Sequence, residues 1–334
     1  MLFGLKNHLN VDDIVYIGCS ENFDIINVIN EGEDLTLLCS IADLIPQKGK
    51  MGFAQTLIQA QKNGSESSAV ITGDNIFLND RQQLSNAVLV EYINQLTAGV
   101  LGYQARLEEG PVVRKGLFVG LQDAEFFDPV YLGDMLTLHG FVTEEVSQVS
   151  FVQGIIERDG KKIAELVTKL YQTENVAELS GSINPVQVSS GTGEKSFDNR
   201  NLPLDLVSNM QRKLYSYIQK VRIEDGQISF SIACPKDFEP FDGHFPENPI
   251  LPGVVLLEIA AVGLEILLGK TIFLKSIKKM KISGMVLPDQ TITCEIKIAP
   301  NNDGIYIFTT VVKERAEKEI SRFNGSCIPC SSHE

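Results

Sequence analysis

Residues 238–258 read Phe238-Glu-Pro-Phe-Asp-Gly-His244-Phe-Pro-Glu-Asn-Pro-Ile-Leu-Pro252-Gly253-Val-Val-Leu-Leu-Glu258. One of the chain's four histidines sits fourteen residues before a glutamate, with a Pro-Gly step between them. Proline favours the first turn of a helix, and the residues from Val254 to Leu268 are almost all apolar, so Pro252-Gly253 predicts a helix start. Glycine there lets a ligand approach the backbone, and the first helical N–H groups are free to hold an oxyanion. An imidazole, a carboxylate and a bare helix N-terminus are the parts needed to move protons beside a carbonyl. A histidine among glycines and prolines can also simply cap a turn; the combined spacing argues against that reading.

The stretch resembles the signature of the hotdog-fold 3-hydroxyacyl-[acyl carrier protein] dehydratases of fatty-acid synthesis, in which a His-Phe-Pro turn leads to Pro-Gly-Val and an acidic residue on the central helix. By position, the resemblance implies that His244 is the catalytic histidine, Gly253 the helix-start glycine and Glu258 the catalytic acid, with Phe245 and Pro252 in support. The segment from Leu274 to Ile292 looks like the family's next strands, and the resemblance runs from about Met210 to Phe323.

The chain has 334 residues, a length that suits two domains, and 43% hydrophobic with 22% charged residues describes a soluble globular protein. The longest apolar run, Leu251 to Leu268, is interrupted by Glu258 and Glu265, so no membrane span is expected. The N-terminus lacks the layout of a secretory signal, which predicts a cytoplasmic enzyme. A net charge of −14 argues against nucleic acid as a partner. Residues 1–175 carry −12 of it, and local basic groups lie in the second half: Arg212, Lys213, Lys220 and Arg222, then Lys275, Lys278, Lys279 and Lys281. Such a rim would steer a strongly acidic acyl carrier protein, or be no more than the solvated faces of a helix and a strand. Cys19, Cys39, Cys234 and Cys294 read as small core residues. The pair Cys327 and Cys330, with His333, has redox-motif spacing but no strand–helix context, and neither metal binding nor a cofactor is expected.

Residues 177–201 are rich in Ser, Gly and Asn and read as a linker that divides the chain into similar halves. The expected layout is an extension over 1–40, a first domain over 41–176, the linker, a second domain over 202–326 and a tail over 327–334. In the first half, Ala87-Val-Leu-Val-Glu91-Tyr-Ile-Asn-Gln95-Leu predicts another apolar helix, followed by strand-like Gly116–Leu121 and an Asp134 turn equivalent to that at Asp289. Strand pairs Gln148–Arg158 with Lys162–Tyr171, and Ile305–Lys313 with Glu319–Phe323, close the two halves. Leu44-Ile-Pro-Gln-Lys-Gly-Lys-Met resembles the dehydratases' Leu-Pro-His-Arg stretch. The fold class expected is α+β, a tandem hotdog: each central helix wrapped by an antiparallel sheet, the two domains forming an intramolecular pseudo-dimer that stands as a monomer or assembles further.

The halves are complementary. Fourteen residues before Glu91 stands Phe77, so the first half lacks the histidine, and Ser85-Asn86 replaces Pro-Gly. It keeps Glu91 with Gln95 one helical turn on, on the same face, whereas Val262 follows Glu258 at that spacing. In the family the site lies at a two-fold interface, histidine from one hotdog and acid from the other. The resemblance therefore implies one live site pairing His244 with Glu91, supported by Gln95, and one dead site where Glu258 meets Phe77; Glu258 is the fallback acid if the domains associate differently. A glutamate inside the run Ala87–Leu96 is expected to be buried, which a carboxylate tolerates only with cause. The first half resembles the non-catalytic subunits of aryl-polyene-type dehydratases. The expected reaction is dehydration of a (3R)-3-hydroxyacyl thioester on acyl carrier protein; the rivals are a hotdog thioesterase and a non-catalytic acyl-binding subunit.

Overall fold

The computed structural model describes residues 39–53, 55–61, 64–109, 115–173, 204–245, 248–300, 304–314 and 318–330, together with the short strands Ile14–Tyr16, Ile26–Ile29 and Leu35–Leu37. The linker at 177–201, Cys19, His333 and most of residues 1–38 lie outside that set.

One 13-stranded antiparallel sheet runs through both halves of the chain. On the first side its strands lie in the order Cys39–Ser40, Gln55–Gln61, Gly64–Val70, Met135–Val146, Val149–Arg158, Lys161–Thr173 and Lys115–Phe126. The second side continues with Ile272–Ile282, Glu319–Pro329, Tyr306–Lys313, Thr291–Pro300, Gln227–Ala233 and Ile218–Glu224. Six strands of one side have counterparts in the same spatial order on the other, which is the internal duplication written in topology. The seam pairs Leu121 with Met280 and Ala124 with Ile277. Alternating burial along Val149–Arg158 shows why such strands form: one face is apolar and packs inward. The Asp159-Gly160 step adopts φ of 52° and 74°, the left-handed pair that a tight hairpin needs.

Each half wraps one long helix, Leu89–Glu109 in the first and Gly253–Leu268 in the second. Every residue from Val254 to Ile266 is buried, as is every residue from Asn86 to Thr97. A helix apolar all round can only be stable when covered on all sides, and the curled sheet supplies that cover. The second helix begins at Pro252 as its N-cap and ends on Gly269 in the left-handed conformation, whose N–H reaches the Glu265 carbonyl at 2.8 Å. The first begins through a single 3-10 turn, Asn86–Val88, in place of the Pro-Gly start. These features make the protein a tandem hotdog. Among the described residues no helix is long and apolar enough to cross a membrane.

The duplicated halves are also stitched across the helix ends. Asn86 Nδ2 donates to the Leu274 carbonyl at 2.5 Å, and the N–H groups of Asn209 and Met210 reach the carbonyls of Leu78 and Ile76. Ion pairs Arg212–Asp80 at 2.6 Å and Arg81–Asp205 at 2.8 Å join the same regions. Of the basic groups singled out in the sequence, Arg212, Lys213 (with Glu239) and Lys278 (with Asp123 and Glu125) are all in ion pairs. Cys327 is a buried residue of strand Glu319–Pro329, and Cys39, Cys234, Cys294, Cys327 and Cys330 are all free thiols.

Candidate active site

His244 sits on an irregular turn between strand Gln227–Ala233 and the second helix. Gly243 before it has a φ of 104°, and a Cβ there would lie 1.9 Å from the Lys48 carbonyl oxygen, so only glycine fits. Phe245 after it has a φ of 58°, a strained conformation for an aromatic residue and of the kind that clusters at functional sites. His244 Nδ1 donates to the Ile250 carbonyl at 2.9 Å. Because a carbonyl only accepts, the ring proton lies on Nδ1 and Nε2 carries the free lone pair. The ring is 8% exposed and packs edge-on to Phe245, with centroids 4.6 Å apart. Burial pushes its pKa down from 6.5 to about 4, against the opposing pull of the Ile250 carbonyl. At neutral pH it is therefore an uncharged imidazole with a basic nitrogen available.

Glu91 lies two residues into the first helix and is 3% exposed. Gln95, one turn on, donates Nε2 to Glu91 Oε1 at 3.1 Å and also to the Met51 carbonyl at 2.7 Å, while its Oε1 accepts from Phe53 N at 3.2 Å. Asn94 Nδ2 lies 3.4 Å from Glu91 Oε2, and Thr168 Oγ1 donates to Asn94 Oδ1 at 2.9 Å. Burial raises the Glu91 pKa to about 7, with the Gln95 and Asn94 hydrogen bonds pulling it back. A carboxyl of that pKa carries a transferable proton near neutrality.

Two cavities meet at these residues. The larger, about 510 Å³, is walled by strand Lys115–Phe126 of the first half and by Ile250, Gly253, Leu256 and Met285 of the second, with Glu314 and Lys318 also on its wall. The smaller, about 20 Å³, is lined by Gln47, Glu91, Asn94, Ala98, Leu101, Gly116, Phe118, Leu170 and His244. His244 and Phe118 belong to both cavities, Gly253 only to the larger and Glu91 only to the smaller. A Cβ on Gly253 would fall 2.4 Å from the Phe118 ring, so glycine at the helix start is what lets that ring pack against the backbone.

At the pseudo-symmetric position the arrangement is different. Glu258 is fully buried, and Ser85 Oγ donates to its Oε1 at 2.5 Å, with Gln211 as a second polar neighbour. Phe77 is buried against Phe53, edge to face at 6.2 Å, and its carbonyl accepts from Ser85 N. Ser85, standing where the second half has Pro252, thus turns its hydroxyl onto Glu258. Two turns further on, Tyr215 donates its hydroxyl to Glu265 Oε2 at 2.7 Å. About 40 Å³ remains open there, lined by Ser85, Asn86, Gln211, Glu265 and Phe273 among others. Burial raises Glu258 to about 7 and Glu265 to about 8.

The structure brings His244, Glu91 and Gln95 together, packs Phe245 on His244, sets Gly253 with His244 on the larger cavity, leaves Pro252 as the N-cap of the second helix, and holds Glu258 in a separate polar cluster. Asn94, Gln47 and Phe118 are the neighbours that sequence reasoning passed over. Asn94 was within reach, being one turn from Glu91 in an otherwise apolar run. The other two meet second-half residues, Gln47 sharing a cavity with His244 and Phe118 packing on Gly253, only in the joined halves. Among the described residues no cluster of His, Cys, Asp or Glu could hold a metal ion.

Comparison with known proteins matches each half of the chain separately. The model of the ApeI-like family (ApeI dehydratase) matches residues 220–322, and that of the ApeP-like family (ApeP dehydratase) matches residues 39–181. The chain is similar to the 3-hydroxyacyl-[acyl-carrier-protein] dehydratase FabZ of Caulobacter sp. (strain K31), 30% identical over 126 residues, 34% of this chain and 77% of that protein. It is 32% identical to FabZ of Caulobacter vibrioides over 30% of this chain and 70% of that protein. Among solved structures, an acyl-ACP thioesterase from Bacteroides thetaiotaomicron superposes with a TM-score of 0.50 at 11% identity, covering 79% of this chain and 97% of the other, a likeness of fold alone. With the His-Phe-Pro sequence motif, the Pro-Gly helix start and the duplicated sheet, these matches show that the chain belongs to the hotdog-fold 3-hydroxyacyl-[acyl carrier protein] dehydratase family.

Proposed function

We propose that the protein dehydrates a (3R)-3-hydroxyacyl thioester carried on acyl carrier protein to the trans-2-enoyl thioester, at a single site between its two domains. The observation that carries this reading is the small cavity shared by His244 and Glu91, one from each half, with opposite proton assignments. His244 Nε2 takes the proton from C2, and the electron pair develops as an enolate whose oxygen is held by backbone N–H groups at the helix start around Gly253. The pair then forms the C2–C3 double bond as the C3–O bond breaks, and Glu91 gives its proton to the departing hydroxyl, which leaves as water. Gln95 and Asn94 keep the carboxyl aimed. The matches to an ApeI-like and an ApeP-like unit within one chain support a division into a histidine-bearing half and an acid-bearing half.

The test is incubation with (3R)-3-hydroxybutyryl-acyl carrier protein, read by mass spectrometry. Loss of one water from the acyl group, abolished by His244→Ala, is the expected result. Release of free carrier-protein thiol without enoyl formation contradicts it and favours thioester hydrolysis.

A further inference from the structure

Gln47 lies in the small cavity beside Glu91 and His244 and is 5% exposed. Its Oε1 is buried without a hydrogen-bond donor among the described residues. A buried acceptor left unmatched is costly, and such groups in folded proteins usually await a water or a ligand. The cavity, at about 20 Å³, is roomy enough for a single small polar group.

The two cavities fix which group that is. Gly253 borders only the larger one and Glu91 only the smaller, with His244 at their junction. Resting on the dehydratase reading, the thioester carbonyl lies in the larger cavity, the C2 proton at His244 and the C3 hydroxyl in the smaller cavity with Glu91. We propose that Gln47 is a substrate-binding residue: its Oε1 accepts the hydrogen of the C3 hydroxyl and so turns the hydroxyl's lone pair toward the Glu91 proton. No bond is made or broken in this contact. Its effect is selectivity for a hydroxyl-bearing acyl chain, since a chain without the hydroxyl leaves the buried acceptor unmatched.

Binding of the carboxamide analogues of (3R)-3-hydroxybutyryl-pantetheine and of butyryl-pantetheine, which differ by that hydroxyl and whose C2 proton is far less acidic than a thioester's, tests this by calorimetry on the intact protein. The wild type should bind the hydroxylated ligand roughly tenfold or more tightly. Gln47→Met should erase most of that ratio, weakening the hydroxylated ligand while leaving the saturated one as tight or tighter; Gln47→Ala serves if the Met variant does not fold. A merely structural role would weaken both ligands alike, and that result, or a wild type that binds both equally, overturns the inference. A wild type that prefers the hydroxylated ligand but forms no enoyl product from the 3-hydroxybutyryl thioester contradicts the proposed reaction and leaves the role of Gln47 standing.

Discussion

Lys48 of the first domain donates its backbone N–H to the carbonyl of Gly243 in the second at 2.9 Å, one residue before the histidine of the candidate site. The Lys48 carbonyl oxygen in turn occupies the space that a Gly243 side chain would need. The histidine turn is therefore fixed by the opposite domain as well as its own. Gly243→Ala meets both a steric block and an unfavourable positive φ, so it should lower both the melting temperature and the dehydration rate. Thermal unfolding and turnover measured on the same preparation check this; a variant of wild-type stability and rate would show that the contact is dispensable.

The dehydration rate should follow a bell-shaped pH profile. Activity needs His244 unprotonated, which holds above a pKa of about 4, and Glu91 protonated, which holds below about 7. The acid limb should disappear in no variant that keeps His244, and the alkaline limb belongs to Glu91. Measuring kcat/KM from pH 4 to 9 distinguishes this from a profile that keeps rising above pH 8.

Gln95 and Asn94 both donate to Glu91, favouring its charged form. Asn94→Ala removes one donor, so the alkaline limb should move to higher pH even as the maximal rate falls severalfold through looser aim of the carboxyl. A rate loss with an unmoved limb would indicate that Asn94 acts only in packing.

Stability should decline as pH rises through neutrality, the reverse of the usual carboxylate trend. Glu91, Glu258 and Glu265 have folded pKa values of about 7, 7 and 8, all above the ordinary 4.5, so the folded state holds more protons than the unfolded one between those limits. Their stabilising contribution is full below about pH 4.5 and is lost as pH climbs through 7 to 8. His244, with a lowered pKa, acts the other way between about 4 and 6.5 and is silent above that window. The melting temperature should therefore drop by several degrees from pH 6.5 to 8.5. Glu265→Gln should flatten that slope; a slope unchanged by the substitution would contradict the assignment.

The duplication, both central helices and the His244 turn were legible because each rests on a local signal: an apolar run, a Pro-Gly start, a glycine-rich turn. Glu91 and Gln95 were legible as a pair because i and i+4 share a helix face. The fate of Glu258 was legible only in part. Its lack of a histidine could be read from Phe77, but its hydrogen bond to Ser85 could not, because 173 residues separate them and the contact exists only across the domain seam. Phe118 and Gln47 escaped for the same reason. Strand residue Phe118 meets Gly253, and loop residue Gln47 shares a cavity with His244, only once the two halves are joined.

Supply of the acid across the domains is tested by isosteric neutralisation of each glutamate in turn. In steady-state dehydration of a 3-hydroxyacyl carrier-protein thioester, Glu91→Gln should lose a factor on the order of 10² to 10⁴, and Glu258→Gln should stay within a few-fold of the wild type. Full activity in Glu91→Gln together with loss in Glu258→Gln would contradict the account and place the acid beside the histidine in its own domain.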